Sequence, residues 1–165
     1  TKFESLKVFE KIIPISSTNG INVQTVIETI LNFLPEHPKF YNDEDLAVEN
    51  ERFFVSEIIR EKILELYRDE IPYSSEVKVE QFIERENNKS FIEAFIYVER
   101  DSQRMILIGK QGAAIKKLGE TARKEIETFL DKQVYLELRV KVKDDWRSNE
   151  DFLKNFGYDL GKNSQ

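Results

Sequence analysis

The sequence of 165 residues contains no cysteine and a single histidine, His37. The absence of cysteine excludes disulfides, cysteine-ligated zinc, iron–sulfur clusters and thiol nucleophiles. One histidine argues against a histidine-rich metal site and against a Ser-His-Asp triad within the chain. No apolar run approaches the roughly 18–20 residues that span a bilayer, and the N-terminal segment lacks the pattern of a secretory signal. We therefore expect a soluble intracellular protein that needs neither disulfides nor metal to fold.

Charge is distributed unevenly along the chain. The whole sequence has 25 basic and 31 acidic residues, a net charge of −6. Residues 36–100 hold 9 basic and 17 acidic residues, whereas residues 103–143 hold ten basic residues against five acidic. Charges more than about 8 Å apart are screened at physiological salt, so a polyanion would respond to the basic segment more than to the distant acids. A solvated helix face in a highly charged protein is the alternative explanation of that segment.

The first 34 residues predict one strand and one helix. Residues 11–16 contain a β-branched run and precede the turn-forming residues 17–20. Apolar residues then recur at three- and four-residue steps as far as Leu34, which is typical of a helix. A strand and a helix without a second strand cannot bury both faces, so we expect residues 1–34 to be the end of a larger α/β domain. Residues 35–50, with two prolines and five acids, predict a linker.

Residues 51–160 predict an α+β domain with the order α-β-β-α-α-β. Apolar residues at helical or alternating spacing place helices at 51–70, 102–108 and 113–130, and strands near 77–83, at 90–99 and at 133–143. The first strand is expected to bury Val77, Val79 and Ile83, and residues 87–89 to form a hairpin turn. A final short helix ends at Gly157, and Trp146 is expected to anchor it. Residues 161–165 are expected to be disordered.

Residues 109–112, Gly-Lys-Gln-Gly, separate the two consecutive helices. Glycine permits positive φ and lets a foreign backbone come close. The loop amides and the start of the following helix offer donors and partial positive charge to a phosphate, to which Lys110 and Lys116 add mobile cations. A KH-type RNA-binding domain uses this arrangement to clamp about four nucleotides of a single strand. The bases are expected to lie over an apolar groove made by Ile108, Ile115 and neighbouring strand residues.

An isolated Gly-x-x-Gly can also be a simple joint between two helices that needs glycine for its turn. Its position within the α-β-β-α-α-β order favours RNA binding over that alternative. Arg123, on the helix after the loop, is a further candidate for a phosphate contact. The candidate RNA-binding residues are Ile108, Gly109, Lys110, Gln111, Gly112, Ile115, Lys116 and Arg123. No pair of carboxylates has a partner that suggests acid–base catalysis, and no metal site is expected.

Residues 108–119, Ile-Gly-Lys-Gln-Gly-Ala-Ala-Ile-Lys-Lys-Leu-Gly, resemble the type II KH loop of the Era family of ribosome-assembly GTPases. Further segments agree with that family, namely residues 51–53, 57–61, 70–74, 98–104, 122–127, 135–147 and 156–158. The resemblance is strong over about 49–158 and looser over 11–41. It implies a type II KH domain at 51–160, preceded in residues 1–34 by the last strand and helix of a P-loop GTPase domain.

The resemblance also implies a function. The family binds GTP with Mg²⁺, engages small-subunit ribosomal RNA near its 3′ end through the KH loop, and has been associated with the inner membrane surface. For this chain we therefore expect binding of single-stranded ribosomal RNA and a role in assembly of the small ribosomal subunit. We also expect a monomer in the cytoplasm, with peripheral association at the inner membrane.

Catalysis of GTP hydrolysis is not expected from this chain. The sequence has no Gly-x-x-x-x-Gly-Lys-Ser/Thr loop, no Asp-x-x-Gly switch and no Asn-Lys-x-Asp motif, so phosphoryl transfer has no positioned electrostatics and no cofactor is expected. In the resemblance, Ser16 and Ser17 lie at the last guanine-contacting motif, where the family usually has Ser-Ala. The alternative function is a protein-interaction module, in which the acidic residues 36–100 dock on a basic ribosomal protein and the Gly-x-x-Gly turn is structural.

Overall fold

The computed structural model describes residues 3–38, 48–85 and 89–157 of the chain. These residues belong to two units, Thr1–Asn42 and Asp43–Gln165. In the part of the chain that is described, no helix combines the length and the apolar character that crossing a bilayer requires.

The first unit contains a helix and a short bridge. Helix α1 spans Val23–Phe33, as the apolar spacing predicts. Ser16 and Ile21 form an isolated antiparallel bridge, with N–O distances of 3.2 and 3.0 Å. Residues 11–15 adopt no regular structure, so the strand predicted at 11–16 does not form. A strand needs a neighbour for its backbone hydrogen bonds, and within residues 3–38 only Ser16 of the predicted strand has a bridge partner, Ile21. The assignment of residues 1–34 to the end of a GTPase domain stays a prediction.

The second unit confirms the predicted α-β-β-α-α-β order and the predicted final short helix, and it adds one short helix, α3. Its elements are α2 (Val48–Leu66), α3 (Ile71–Ser74), β1 (Glu76–Ile83), β2 (Ser90–Val98), α4 (Asp101–Ile108), α5 (Ala113–Leu130), β3 (Val134–Val142) and α6 (Glu150–Asn155). Helix α2 begins inside the predicted linker. Helix α3 has Pro72 in its first turn, where proline is tolerated because the N–H that it lacks has no partner within the helix.

The sheet has the strand order β1-β2-β3, with β1 and β2 antiparallel and β2 and β3 parallel. Alternate residues of the central strand, from Ile92 to Val98, are buried on one face as predicted. That face shares one core with apolar side chains of α2, α4 and α5. The fully buried members from these helices are Val55, Ile59, Ile63, Leu107, Leu118, Ala122 and Ile126. Helices α2, α4 and α5 are therefore held in place by a common apolar layer.

A bulge in β1 reverses the predicted burial at the end of that strand. Val79 pairs with Ala94 and Gln81 with Glu93, so Glu80 is an extra residue between two pairs. An extra residue shifts the two-residue alternation by one position. Phe82 consequently packs against the core, whereas Ile83, which was predicted to be buried, is 45% exposed.

Two phenylalanines at apolar helical spacing, one on α2 and one on α5, are less buried than that spacing predicts. Phe54 of α2 and Phe129 of α5 are 45% and 46% exposed. Their ring centroids lie 5.3 Å apart, so they cover each other at the edge of the core. The fully buried residue at this point of α2 is Val55.

Helix α4 is fixed at both ends by buried polar side chains. At its start, the Gln103 side-chain oxygen accepts hydrogen bonds from the backbone N–H groups of Glu99 and Arg100, both at 3.0 Å. Near its end, the hydroxyl of Tyr67 donates to the carbonyl oxygen of Leu107 at 2.9 Å. Burial raises the pKa of Tyr67 to about 12. The chain therefore leaves α4 towards residues 109–112 from a well-defined position.

Trp146 anchors the C-terminal helix, as expected. It is 4% exposed, and its indole N–H donates to the carbonyl oxygen of Ser74 at 3.3 Å. Its ring meets the ring of Phe156 edge-on, with centroids 5.4 Å apart. Arg147 forms an ion pair with Glu99, and this hydrogen bond lowers the pKa of Glu99. Most of the predicted turn at 87–89 and the tail 161–165 lie outside the described residues.

The hydrogen bond from Tyr67 can be tested by removing its hydroxyl. Tyr67→Phe leaves the buried carbonyl oxygen of Leu107 without this donor, so the free energy of unfolding should fall by about 1–2 kcal/mol in urea denaturation. Tyr73→Phe is the control, because Tyr73 is 74% exposed. It should stay within about 0.5 kcal/mol of the wild type. Equal losses in the two variants would contradict the structural role of the Tyr67 hydroxyl.

The raised pKa of Tyr67 also predicts a pH dependence of stability. Between pH 10.0, the ordinary pKa of a tyrosine, and about pH 12, the unfolded chain loses the phenolic proton of Tyr67 while the folded chain keeps it. The free energy of unfolding therefore falls as pH rises through this interval. We expect urea denaturation at about pH 9 and about pH 11 to show a steeper loss for the wild type than for Tyr67→Phe. Equal losses of unfolding free energy in the wild type and in Tyr67→Phe would show that Tyr67 does not lose its proton in this way.

Candidate nucleic-acid interface

Gly109 allows the Gly-Lys-Gln-Gly loop to pack closely against helix α5. A Cβ atom on Gly109 would lie 2.6 Å from the Cβ of Ala114, which is closer than real Cβ atoms come. The Gly109 N–H donates to the carbonyl oxygen of Met105 at 2.9 Å, and the Gly112 N–H to that of Gly109 at 3.2 Å. The loop is therefore a tight turn whose inner side leaves no room for a side chain.

Gly112 faces open space at the other end of the same loop. A Cβ atom there would have no neighbour within 4 Å, and its φ of 79° lies in the left-handed region. The side chains of Lys110 and Gln111 are exposed. A foreign backbone can therefore approach Gly112 closely, next to the cation of Lys110. The positive φ that the sequence predicted for the loop glycines is thus present, and the phosphate contact stays a prediction.

A groove of about 380 Å³ lies between α5 and β3, along the edge of the described sheet. Its lining residues are Ile115, Lys116, Gly119, Glu120 and Arg123 from the helix and Tyr135, Leu136, Glu137 and Leu138 from the strand. The structure thus brings together Ile115, Lys116 and Arg123, three of the predicted RNA-binding residues. Ile108 is half-buried at the end of α4 and does not line this groove.

The loop lies at one end of α5, and the groove follows the helix away from it. Lys116 and Arg123 are seven residues apart, which is about two helical turns, so both cations lie on the same side of α5. Arg123 is about 15 Å along the helix from its first residue, Ala113. A nucleic-acid strand that starts at Lys110 and follows the groove would pass Lys116 and then Arg123.

The groove also contains two carboxylates, Glu120 and Glu137. Glu137 accepts from the guanidinium of Arg139 at 2.7 Å, and Arg139 also reaches Glu93 at 3.1 Å. The hydrogen bond to Glu137 raises the pKa of Arg139. The charge of Glu137 is therefore partly neutralised within the protein, which reduces its repulsion of a phosphate backbone.

The sequence pattern did not predict that Tyr135 would border the groove. Alternation along β3 predicts that Tyr135 lies on the face of the sheet opposite the core, which does not by itself indicate a place in the groove. In the structure its side chain is 57% exposed and its ring stacks on that of Phe91. An aromatic residue at the start of β3 was the feature of the sequence that could have indicated this contact. Its place beside the groove depends on β3 being an edge strand of the described sheet.

Ser16 and Ser17, the predicted remnant of a guanine-binding motif, belong to the first unit. Ser16 takes part in the bridge with Ile21, and its hydroxyl accepts from the side-chain amide of Asn19 at 3.0 Å. The carbonyl oxygen of Ser17 accepts from the N–H of Gly20 at 3.2 Å. The two serines thus begin a tight turn, and their role in nucleotide binding stays a prediction.

Comparison with known proteins finds relatives in both sequence and structure. Residues 70–147 match a protein family described as KH domain. The GTPase Era of Staphylococcus epidermidis is 47% identical over 157 residues, which cover 95% of this chain and 52% of that protein.

Two solved structures superimpose on nearly the whole chain. A variant of Aquifex aeolicus Era bound to GDP.AlF4⁻ has a TM-score of 0.80 and 35% identity, covering 96% of this chain and 54% of the other. Era in complex with MgGDPNP and nucleotides 1506–1542 of 16S ribosomal RNA has a TM-score of 0.79 and 36% identity, with the same coverage of 96% and 54%.

The chain spans about half the length of these relatives. The match to the KH family covers the elements from α3 to β3, which include the loop at 109–112 and the groove beside it. Sequence identity and fold thus point to one group of proteins. This chain is homologous to the C-terminal region of GTPase Era, and its second unit contains a KH domain.

Proposed function

We propose that this chain binds single-stranded RNA through the loop at 109–112 and the groove between α5 and β3. The observation that carries the proposal is the open outer side of Gly112, beside Lys110 and at the head of the groove. Lys116 and Arg123 continue the positive charge along that groove. Loop and groove together provide an approach for the sugar-phosphate backbone and a surface for the bases.

The chemistry of the groove favours a single strand over a duplex. Its wall includes the apolar side chains of Ile115, Leu136 and Leu138, which suit the faces and edges of bases rather than phosphates. Bases reach such a wall only when they are splayed out from a helix, and a KH loop then clamps about four nucleotides. The cations of Lys116 and Arg123 supply the salt-dependent attraction to phosphate.

The proposed RNA is the 3′ region of small-subunit ribosomal RNA. Support comes from the Era structure that contains nucleotides 1506–1542 of 16S ribosomal RNA and resembles this chain over 96% of its length. We propose on this basis a role in assembly of the small ribosomal subunit, within a longer Era-like protein. GTP binding and hydrolysis are assigned to the part of the relatives that this chain does not match, because its sequence contains no phosphate-binding loop.

Gly112→Asp tests the loop directly. It places a carboxylate and a Cβ atom where a phosphate would approach, so binding of a short single-stranded RNA copying that 3′ end should be abolished in fluorescence-anisotropy titrations. Gly112→Asn is the matched control, because it has nearly the same size and asparagine and aspartate both tolerate the left-handed conformation. It should bind at least about tenfold more tightly than Gly112→Asp, since only the aspartate repels phosphate.

The folding of both Gly112 variants is checked by thermal unfolding, and little change is expected because the site is open. A scrambled RNA and a duplex are titrated alongside. Wild-type RNA affinity in Gly112→Asp would overturn the assignment of the loop. Association with a ribosomal protein that survives both this variant and nuclease treatment would favour a protein partner.

Lys110→Ala tests whether the loop lysine contacts a phosphate. Affinity should fall by a similar factor for the authentic and the scrambled RNA, because phosphate contacts carry no sequence information. The slope of log affinity against log salt should decrease in magnitude by about 0.7, as for one phosphate contact on a single strand. Lys154→Ala on α6 removes an exposed lysine outside the loop and groove, so it should leave the slope unchanged. Equal slopes in the two variants would exclude the phosphate contact.

A further inference from the structure

The ring of Tyr135 is supported on one face by a neighbouring aromatic ring. Tyr135 of β3 pairs in register with Phe91 of β2, and both side chains project from the same face of the sheet. Their ring centroids are 5.8 Å apart and the ring planes differ by 14°. Neighbouring strands are about 4.7–4.9 Å apart, so the two rings stand side by side across the strands.

The second face of the Tyr135 ring points away from β2. Because β3 is at the edge of the described sheet, no strand covers that side, and the side chain is 57% exposed. Tyr135 lines the groove together with Arg123. One face of the ring is thus packed against Phe91, while no described strand covers the other.

Tyr135 lies at the end of the groove that is distant from the glycine loop. Gly119, near the middle of α5, faces Leu138. A Cβ atom on Gly119 would lie 3.7 Å from the Cδ1 atom of Leu138. Tyr135 is three residues before Leu138, about 10 Å along the strand. It is therefore opposite the part of α5 that carries Arg123. That part is well beyond the first turn of α5, and the first turn is where the loop joins the helix.

We propose that Tyr135 stacks on a base of the bound strand and thereby extends the RNA site beyond the four nucleotides held at the loop. This inference rests on the proposed RNA-binding function and names an additional binding residue of the same groove. An aromatic ring accepts any base, since every base has a π-face. The stack on Phe91 orders the Tyr135 ring before RNA binds, so little conformational freedom is lost on binding.

Arg123 completes this end of the proposed site. It lines the same part of the groove as Tyr135, so its guanidinium can contact the phosphate next to the stacked base. A strand of about four nucleotides occupies the loop and the start of the groove. A longer strand reaches Arg123 and Tyr135 and gains both contacts.

The test compares two single-stranded RNAs, one of about four nucleotides and one of about eight that contains the shorter sequence. Affinities are measured by fluorescence anisotropy for the wild type, Tyr135→Ala, Tyr135→Phe and the control Tyr73→Ala. Tyr135→Ala should weaken binding of the longer RNA by about tenfold to 100-fold and leave the shorter RNA unaffected. Tyr135→Phe should bind both RNAs like the wild type, because stacking needs the ring and not the hydroxyl.

The outcomes separate this inference from the function on which it rests. Unchanged binding of the longer RNA by Tyr135→Ala would overturn the stacking role, as would equal losses for both RNAs, which indicate a structural effect on the groove. Tyr73→Ala, which removes an exposed aromatic side chain from α3, should match the wild type. If the wild type binds neither RNA, the proposed RNA-binding function itself fails. If Gly112→Asp abolishes binding of both RNAs while Tyr135→Ala changes neither, only the stacking role fails.

Discussion

The close approach of Gly109 to Ala114 is the constraint on which the candidate site depends. With no side chain at Gly109, the end of α4 can lie directly against the first turn of α5, where a Cβ atom would come within 2.6 Å. The Tyr67 hydroxyl fixes the last turn of α4, so the direction in which α5 leaves the loop is also fixed. That direction places Lys116 and Arg123 along the groove and leaves the outer side of the loop open.

The fold gives the basic residues of 103–143 different surroundings. On the strand, Arg139 is paired with Glu137 and Glu93, and the ammonium of Lys141 lies 3.4 Å from the centroid of the Phe95 ring. These charges interact with groups of the protein itself. Lys110 of the loop and Lys116 and Arg123 of α5 border the proposed path of the RNA instead. A chain with a net charge of −6 can therefore present a locally positive surface, because screening makes nearby charges decisive.

The order of elements and the glycine loop could be predicted because their signals are local. Two-residue and 3.6-residue periods are properties of consecutive residues, and the left-handed turns of the loop depend on its own glycines. The bulge at Glu80 could not be predicted, because it exists only relative to the pairing of β1 with β2. The strand expected at 11–16 does not form for a related reason, since a strand is stabilised by a partner that its own sequence does not contain.

The sequence by itself determined the α-β-β-α-α-β order of the second unit, where the loop lies and which charges surround it. Tertiary structure alone decided which of those residues meet. Alternation could assign Tyr135 to one face of β3, but only the pairing of β2 with β3 stacks Tyr135 on Phe91 and makes it part of the wall of the groove. Ile108 is half-buried at the end of α4 and does not line the groove, which its position in the sequence did not reveal. Side-chain direction along an element is a local property, whereas the neighbours of that side chain are set by contacts between residues far apart in the chain.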